Sequence, residues 1–264
     1  MRIAVTGSTS GIGKQLIRKI LDVGHAAIPL GRTHPNFWKL GEGLPRNLEI
    51  DAVIHLAHDR SLSVDQNVEA ALALCSSFEG PKVFLSSFSA HSKSLSVYGK
   101  SKYEVENVFE RFNGCSLRAG VVYGNNVGGF FAQFERLVTN SFVVPIPYRG
   151  LPLLFTTHVE DLVTEIIVNL ELSGGSKVFA GHSVPISLQE LVFQINESAD
   201  IKRPAISLWR EPMNASLRLL AKISPGIPMV DSLLSLSRQA SYEEISRLRL
   251  PRSKFRSFSL LEKI

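Results

Sequence analysis

Residues 2–13 have the sequence RIAVTGSTSGIG, and residues 14–23 continue with the apolar periodicity of a helix. The segment predicts a short buried strand, a glycine-rich turn and an amphipathic helix, in that order. Glycine lets a backbone turn tightly and approach a pyrophosphate, whose charge is stabilised by the amides and the dipole at the helix N-terminus. The segment therefore indicates a dinucleotide-binding α/β unit, with its glycines at Gly7, Gly11 and Gly13.

The composition is that of a globular protein with a sizeable core. Hydrophobic residues make up 44% of the 264 residues, which argues against disorder. The two cysteines, Cys75 and Cys115, lack the spacing of metal ligands and predict small buried side chains in a reducing compartment. The N-terminal apolar run is too short for a signal peptide, and no segment has the length of a membrane span. We therefore expect a cytoplasmic protein with no metal site and no transmembrane segment.

The chain is basic, with a formal net charge of +5. This charge suits anionic ligands and equally suits an ordinary basic surface, so it does not predict binding to nucleic acid. The C-terminal tail carries Arg247, Arg249, Arg252, Lys254 and Arg256, with no acidic residue among them. These basic side chains are expected either to be solvated or to contact anionic groups, namely phosphates or an anionic membrane surface.

The residues after the second predicted strand, at 26–30, determine which dinucleotide is favoured. An acidic residue at this point binds the ribose 2′-hydroxyl, whereas this chain has Gly31, Arg32, Thr33 and His34. Arg32 can pair with a 2′-phosphate, so the sequence favours NADP(H) and leaves NAD(H) open. The alternative interpretation is that Arg32 is merely exposed.

A third buried strand is predicted within residues 51–58. Its end is expected at the carboxyl edge of a parallel sheet, where such folds bind ligands, and comprises Leu56, Ala57 and His58. His55 alternates within the apolar run and predicts a packed side chain, whereas His58 is better placed to face a cofactor. The helix predicted next, at residues 65–77, carries Asn67 near its start.

The candidate catalytic groups follow the fourth strand. The apolar run at residues 82–85 leads to Ser87, and Tyr98 and Lys102 stand four residues apart at the start of a helix, on one face. A nearby ammonium lowers the pKa of a tyrosine, so Tyr98 can exchange a proton with an alcohol or carbonyl near neutral pH. Ser87 can hydrogen-bond the same oxygen. The alternative for so short a pattern is a half-buried tyrosine beside a solvated lysine.

The remaining sequence continues the alternation of strands and helices. We expect a short strand at 37–40, a strand at 116–124, a glycine-rich lid or substrate edge at 125–129 and a helix at 130–138. Further downstream the patterns predict a helix at 159–170, a strand at 178–180 and a helix capped by Ser187. Two more helices are predicted, at 214–223 and 242–250. A turn at Pro225 and an apolar segment to Leu236 lie between them.

This alternation predicts an α/β fold, a Rossmann-type doubly wound parallel sheet with a small C-terminal substrate-binding lobe. The predicted boundaries are residues 1–172 for the NAD(P)-binding Rossmann domain and mainly residues 173–264 for the lobe, partly interleaved with it.

Together the motifs resemble the short-chain dehydrogenase/reductase superfamily, most closely its extended or atypical branch, the NAD-dependent epimerase/dehydratase family. The matches fall in the family's order over residues 3–163 and comprise Thr6-Gly7 with Gly11 and Gly13, residues 51–57, Asn67-Val68, Ser86-Ser87, Tyr98 with Lys102, Leu117-Arg118 with Val122-Tyr123-Gly124, and residues 158–162. The glycine spacing is similar to that of the classical branch.

The resemblance implies an NAD(P)-dependent enzyme acting on a carbonyl or hydroxyl of a sugar-like small molecule, with a nucleotide sugar as the favoured class. It assigns Ser87 as the catalytic serine, Tyr98 as the general acid/base and Lys102 as the lysine that holds the nicotinamide ribose and lowers the tyrosine pKa. The implied cofactor-binding residues are Gly7, Thr9, Ser10, Gly11, Ile12, Gly13, Arg32, Leu56, Ala57, His58, Asn67, Tyr98, Lys102 and Val121. A homodimer through the Tyr98 helix is common in the family and stays open.

Two departures from the family pattern narrow the implied reaction. Family dehydratases carry an Asp-Glu pair directly after the catalytic Ser/Thr, where this chain has Phe88 and Ser89, so sugar 4,6-dehydration is disfavoured. The arginine that many members use to hold a nucleotide diphosphate is replaced by Leu154, which weakens the case for a nucleotide sugar unless Arg136, Arg149 or the basic tail substitutes.

Arg32 favours a keto-sugar reductase with dissociable NADPH over a 4-epimerase with tightly held NAD. The alternative from another class is a catalytically silent NADP-binding redox sensor or scaffold. That alternative predicts that Tyr98→Phe leaves the function intact.

Overall fold

The computed structural model describes residues 1–147, 153–171, 175–208 and 246–260. The strands within these ranges are β1 (Arg2–Thr6), β2 (Ala26–Leu30), β3 (Ala52–His55), β4 (Lys82–Ser87), β5 (Cys115–Ala119), β6 (Val121–Tyr123), β7 (Val144–Pro147), β8 (Thr156–His158), β9 (Lys177–Ala180) and β10 (Ala205–Leu208). The helices are α1 (Gly11–Asp22), α2 (Val64–Ser76), α3 (Val97–Arg111), α4 (Phe130–Asn140), α5 (Val159–Val168) and α6 (Leu188–Ala199).

Six strands form one parallel sheet in the order β2-β1-β3-β4-β5-β9. Side chains alternate between the two faces of the sheet, so Ile3 and Val5 share a core with α1 and α5, whereas Ala4 shares a core with α2 and α3. Helices therefore cover both faces. This arrangement confirms the predicted Rossmann-type doubly wound α/β fold.

Polar side chains cap the helices that flank the sheet. The Ser10 hydroxyl accepts the Gly13 N–H at the start of α1, and Ser63 and Gln66 form a reciprocal capping box at the start of α2. Ser96 caps α3, and Ser187 caps α6 as predicted. The caps fix where each of these helices begins, and hence where its first turn points.

A second core lies apart from the two faces of the main sheet. It joins α4 and α6 to two small parallel sheets, β6-β8 and β7-β10. Its fully buried side chains include Phe134, Ile146, Leu154, Leu188 and Leu191. Part of the segment that the sequence assigns to the C-terminal lobe, residues 209–245, lies outside the described residues. Arg149 and the predicted helix 214–223, turn at Pro225 and apolar segment to Leu236 lie outside them as well.

The strand prediction for residues 116–124 is wrong, because two strands occupy this segment. The chain leaves the main sheet at Gly120, whose N–H donates to Thr157 Oγ1 at 2.9 Å. A Cβ at Gly120 would overlap the Phe155 carbonyl, so only glycine fits this crossing. After it, β6 pairs with β8 in a separate sheet.

The short strand predicted at 37–40 is also absent, and only an isolated bridge joins Gly31 and Phe37. The Trp38 indole N–H donates to the Glu42 carbonyl at 3.1 Å, so this donor forms its hydrogen bond within the same segment. Conversely, β7 and β10 were not predicted, since the prolines in β7 argue against a strand from sequence alone.

The C-terminal tail, residues 246–260, is bound to the body of the protein. Arg249 bridges to β9 through backbone hydrogen bonds with Lys177 and Phe179, both at 2.9 Å. The buried Glu165 carboxylate accepts the N–H groups of residues 252 and 253. Arg256 pairs with Asp161 at 2.9 Å, so this tail cation serves an internal contact rather than remaining a purely solvated charge.

None of the helices described here combines the length and apolar character needed to cross a bilayer. Within the same ranges, no group of three or more His, Cys, Asp or Glu side chains is arranged to hold a metal ion.

Candidate active site

A cleft of about 850 Å³ opens at the carboxyl end of the main sheet. It brings together the glycine turn, the end of β4, the first turn of α3 and the loop before α4. Among the residues that line the cleft, those relevant to cofactor binding and catalysis are Ile12, Arg60, Ser87, Ser89, Tyr98 and Val121. The cleft thus unites Ser87 and Tyr98 with part of the predicted dinucleotide site.

The glycine turn is compact for steric reasons. Gly7 has a φ of +69°, and a Cβ there would lie 2.8 Å from the Ala57 nitrogen. The Ser10 hydroxyl donates to the Gly7 carbonyl at 2.8 Å and accepts the Gly13 N–H at 3.0 Å. A Cβ at Gly13 would overlap the Gly7 carbonyl oxygen. The N-terminus of α1 is therefore held against the end of β1, with no acidic residue in its first turn.

Gly11 lies against the loop between β6 and α4. A Cβ at Gly11 would overlap the carbonyl oxygen of Asn126, in the loop between β6 and α4. The absence of a side chain at Gly11 therefore lets this loop come close to α1. Thr9 is exposed on the turn between Gly7 and Gly11.

Two adjacent serines at the end of β4 face opposite directions. Ser86 is buried and donates to Glu106 Oε1 at 2.5 Å, on the side away from the cleft. Ser87 lines the cleft, where its hydroxyl accepts the Ser89 N–H at 3.2 Å and lies 3.0 Å from Ser89 Oγ. The strand alternation thus presents Ser87, and not Ser86, to a ligand.

Tyr98 is half-buried in the first turn of α3 and lines the cleft. A Cβ at Gly99 would overlap Ser94 Oγ and the Ser89 carbonyl, so this glycine lets α3 begin directly against the preceding loop. The His58 ring meets the Tyr98 ring edge-on at 5.1 Å, and the Arg60 guanidinium carbon lies 4.4 Å from its centroid. Arg60 is a site residue that the sequence reasoning missed.

Lys102 lies one turn after Tyr98 and is only 3% exposed. Its Nζ donates to the Leu85 carbonyl at 2.7 Å and lies 5.7 Å from the Tyr98 ring centroid. Burial lowers the pKa of Lys102 to about 7, with a smaller raising contribution from Glu106 and a lowering one from Arg60. The amine is therefore poised to change charge near neutral pH.

A buried ion pair supports the helix that carries Tyr98 and Lys102. Glu106 is fully buried, and Arg118 on β5 donates to both of its oxygens, at 2.8 and 2.6 Å. Ser86 completes the set. The pair ties α3 to β4 and β5 beneath the cleft. The sequence does not predict this pair, because Arg118 lies twelve residues after Glu106, on a different element.

The end of β3 supplies the other predicted cofactor residues. Leu56 and Ala57 follow His55, and the Ala57 N–H donates to Thr6 Oγ1 at 3.3 Å. His55 is packed as predicted, with burial lowering its pKa to about 3. Burial, followed by the charge of Lys102, lowers the pKa of His58 to about 2, so this ring is neutral beside Tyr98.

Asn67 is buried, and its amide group is directed at the loop after β3. The side chain donates to the Asp59 and Ser63 carbonyls, both at 3.0 Å, and accepts the Asp59 N–H at 3.4 Å. Asn67 therefore holds the loop that carries Arg60.

Arg32 is exposed at the end of β2, beside the glycine turn. The neighbouring His34 places its Nε2 2.9 Å from the hydroxyl of buried Ser8, which also donates to the Leu30 carbonyl. His34 is thus a further residue at this end of the sheet. Leu154, at the position of the family arginine, is fully buried in the second core.

No protein-family model matches this chain, and no curated protein matches its sequence. Solved structures do match. The UDP-glucose 4-epimerase of Thermotoga maritima, solved with UDP-glucose, has 18% identity and a TM-score of 0.64 over 80% of this chain and 86% of that one. The UDP-glucose 4-epimerase of Thermus thermophilus, in complex with NAD, has 19% identity and a TM-score of 0.61 over 90% and 98%.

A dTDP-4-dehydrorhamnose reductase from Clostridium acetobutylicum has 15% identity and a TM-score of 0.65 over 80% of this chain and 85% of that one. At such identities the likeness is one of fold. It agrees with the resemblance drawn from the motifs, and the chain has the α/β fold of these nucleotide-sugar epimerases and reductases.

Proposed function

We propose that this chain is an NAD(P)-dependent enzyme of the epimerase/dehydratase type that acts on a carbonyl or hydroxyl of a nucleotide sugar or a similar molecule. Keto-sugar reduction is the favoured reaction. The observation that carries the proposal is that Ser87 and Tyr98 line one cleft with Ile12 of the glycine turn, while Lys102 lies buried behind Tyr98.

The residues around the glycine turn fit a dinucleotide. The first turn of α1 has no carboxylate to repel a pyrophosphate, and its N-terminus is held close to β1 by Gly7 and Gly13. Beyond β2 the exposed Arg32 offers a cation for a 2′-phosphate, which supports NADP(H) over NAD(H). Bound there, the nicotinamide cofactor would supply or accept the hydride at the substrate carbon.

Tyr98 would pass a proton to or from the substrate oxygen, since it is the acidic hydroxyl in the cleft. Ser87 accepts the Ser89 N–H, which leaves its own hydroxyl proton to donate to that oxygen or to Ser89. Lys102 and Arg60 place positive charge near the phenol and favour its ionised form.

The cleft supports hydride and proton transfer at one carbon rather than elimination of water. The positions after Ser87 hold Phe88 and Ser89, and neither can act as a carboxylate acid or base. The Phe88 ring is 6% exposed and stacks on Phe155 at 4.9 Å, so packing and not proton transfer occupies this position. The epimerases and the reductase of similar fold act on nucleotide sugars by their names, which supports that substrate class here.

Cofactor and ligand binding test the proposal together. Fluorescence titration should give a lower Kd for NADPH than for NADH, and Arg32→Asp should abolish the difference. With NADP+ present, at least one member of a nucleotide-sugar panel should raise the melting temperature. Equal affinity for the two cofactors would remove the NADP assignment, and the absence of a shift with every nucleotide sugar would remove that substrate class.

A further inference from the structure

A second cavity, open to solvent on one side, adjoins the active-site cleft. Val127 and Gly128 line both cavities, so a single loop separates them. The walls of the second cavity are the exposed side of α1, this loop and α4. Its charged lining residues are Lys14, Arg18 and Arg136.

Among the residues that the structure describes, the cavity is lined by three cations and by no carboxylate. In the part of the chain that the structure describes, none of the three makes an ion pair, and no acidic residue lines the cavity. By contrast, Arg118 and Arg256 are each paired with carboxylates. Unneutralised cations that converge on one cavity attract an anion, because their potentials add.

Direct contacts hold the loop before α4 against α1. The Gln15 side chain donates to the Asn125 carbonyl at 2.6 Å, and the Asn126 carbonyl lies against Gly11. Asn126 itself has a φ of +57°, a left-handed conformation that the loop maintains. The cations are therefore carried on elements that the loop already joins, which lowers the cost of ordering an anion site.

We propose that this cavity binds the phosphate groups of the substrate, with the reactive carbon placed at Tyr98 in the adjoining cleft. The inference rests on the proposed function for the assignment of the reacting end. Lys14, Arg18 and Arg136 would donate charge-assisted hydrogen bonds to phosphate oxygens. The ligand class is a phosphate- or diphosphate-bearing carbonyl compound.

Calorimetric titration with inorganic pyrophosphate and with UDP, on protein saturated with NADP+, tests the site. Both should bind, and the affinity should fall as ionic strength rises. Lys14→Gln, Arg18→Gln and Arg136→Gln should each weaken binding roughly threefold to fivefold, as expected for partly exposed ion pairs. The matched control is Lys19→Gln on the same helix, which does not line the cavity and should bind as the wild type does.

Three results would overturn the assignment. The first is no binding of either probe to the NADP+-saturated protein, which would mean that the anion recognised is the cofactor's own pyrophosphate. The second is unchanged affinity in the combined Lys14, Arg18 and Arg136 variant with an unaltered melting temperature. The third is an equal loss in Lys19→Gln. Tyr98→Phe should bind pyrophosphate normally, so failure of the proposed catalysis and failure of this site are distinguishable.

Discussion

The guanidinium carbon of Arg60 lies 4.4 Å from the centroid of the Tyr98 ring, while Lys102 Nζ lies 5.7 Å from the same centroid. The two cations differ in permanence. Burial lowers the pKa of Lys102 to about 7, so its charge is partial at neutral pH, whereas a guanidinium stays charged. Arg60 therefore provides the constant positive charge beside the phenol, and Lys102 provides a charge that varies with pH.

Replacing Arg60 should impair proton transfer by Tyr98. Arg60→Gln removes the charge that favours the phenolate, so the apparent pKa of the kcat/KM profile should rise and kcat/KM for alcohol oxidation at pH 7 should fall roughly tenfold. Arg60→Lys should restore part of the loss. A pH profile of Arg60→Gln that superimposes on that of the wild type would contradict this role, and Arg111→Gln, on an exposed helix end, is the charge-matched control.

Substitution of the two serines at the end of β4 should have different effects, one on catalytic activity and the other on stability. Ser87→Ala should lower kcat roughly a hundredfold with little change in the free energy of unfolding, because Ser87 faces the cleft. Ser86→Ala should cost about 1–3 kcal/mol of stability, since Glu106 then loses a hydrogen bond in the core. Steady-state kinetics and urea unfolding of both variants measure the two effects. A large loss of activity in Ser86→Ala, together with a large loss of stability in Ser87→Ala, would contradict these roles.

Glu106→Gln should destabilise the fold by roughly 3–5 kcal/mol, because it leaves the buried Arg118 guanidinium without its counter-charge. Glu110→Gln, one turn further along α3, is the control. Glu110 is 54% exposed where it pairs with Lys177, so its loss should cost less than about 1 kcal/mol. Urea unfolding of both variants measures the difference, and equal effects would show that the Glu106 pair adds nothing beyond an exposed one.

Lys102 should make stability depend on pH. Its pKa is about 7 in the folded protein against 10.5 for the free group, so between these values the unfolded chain binds a proton that the folded one does not. The free energy of unfolding should therefore rise as pH increases from about 7 to 10, by roughly 2–5 kcal/mol relative to Lys102→Met. Parallel pH curves for the wild type and Lys102→Met would show that the buried amine keeps its ordinary pKa.

Local signals in the sequence predicted much of this architecture. The glycine turn, the Ser187 cap and the placement of Tyr98 and Lys102 on one helical face each depend on residues within a few positions of one another. The preference for Ser87 over Ser86 agrees with the alternation of a strand, in which successive side chains point to opposite faces.

Features that depend on distant contacts could not be predicted. Arg60 contacts Tyr98 from a loop that Asn67 hydrogen-bonds, and the Glu106–Arg118 pair joins a helix to a strand. In the sequence, Gly120 lies within what reads as one continuous apolar strand. Only the three-dimensional structure shows that the Phe155 backbone lies against it. In each case the deciding partner is remote in sequence, and no periodicity signals it.

The proposed function requires Tyr98 to transfer a proton during NADPH-dependent reduction of a keto-sugar. The most direct test is NADPH consumption with a panel of keto-sugar nucleotides, comparing the wild type with Tyr98→Phe at pH 7. We predict that the wild type consumes NADPH with at least one member and that Tyr98→Phe is slower by at least about a hundredfold with unchanged NADPH affinity. Turnover by Tyr98→Phe at the wild-type rate, or no turnover by the wild type with any member, would rule out this role of Tyr98 in keto-sugar reduction.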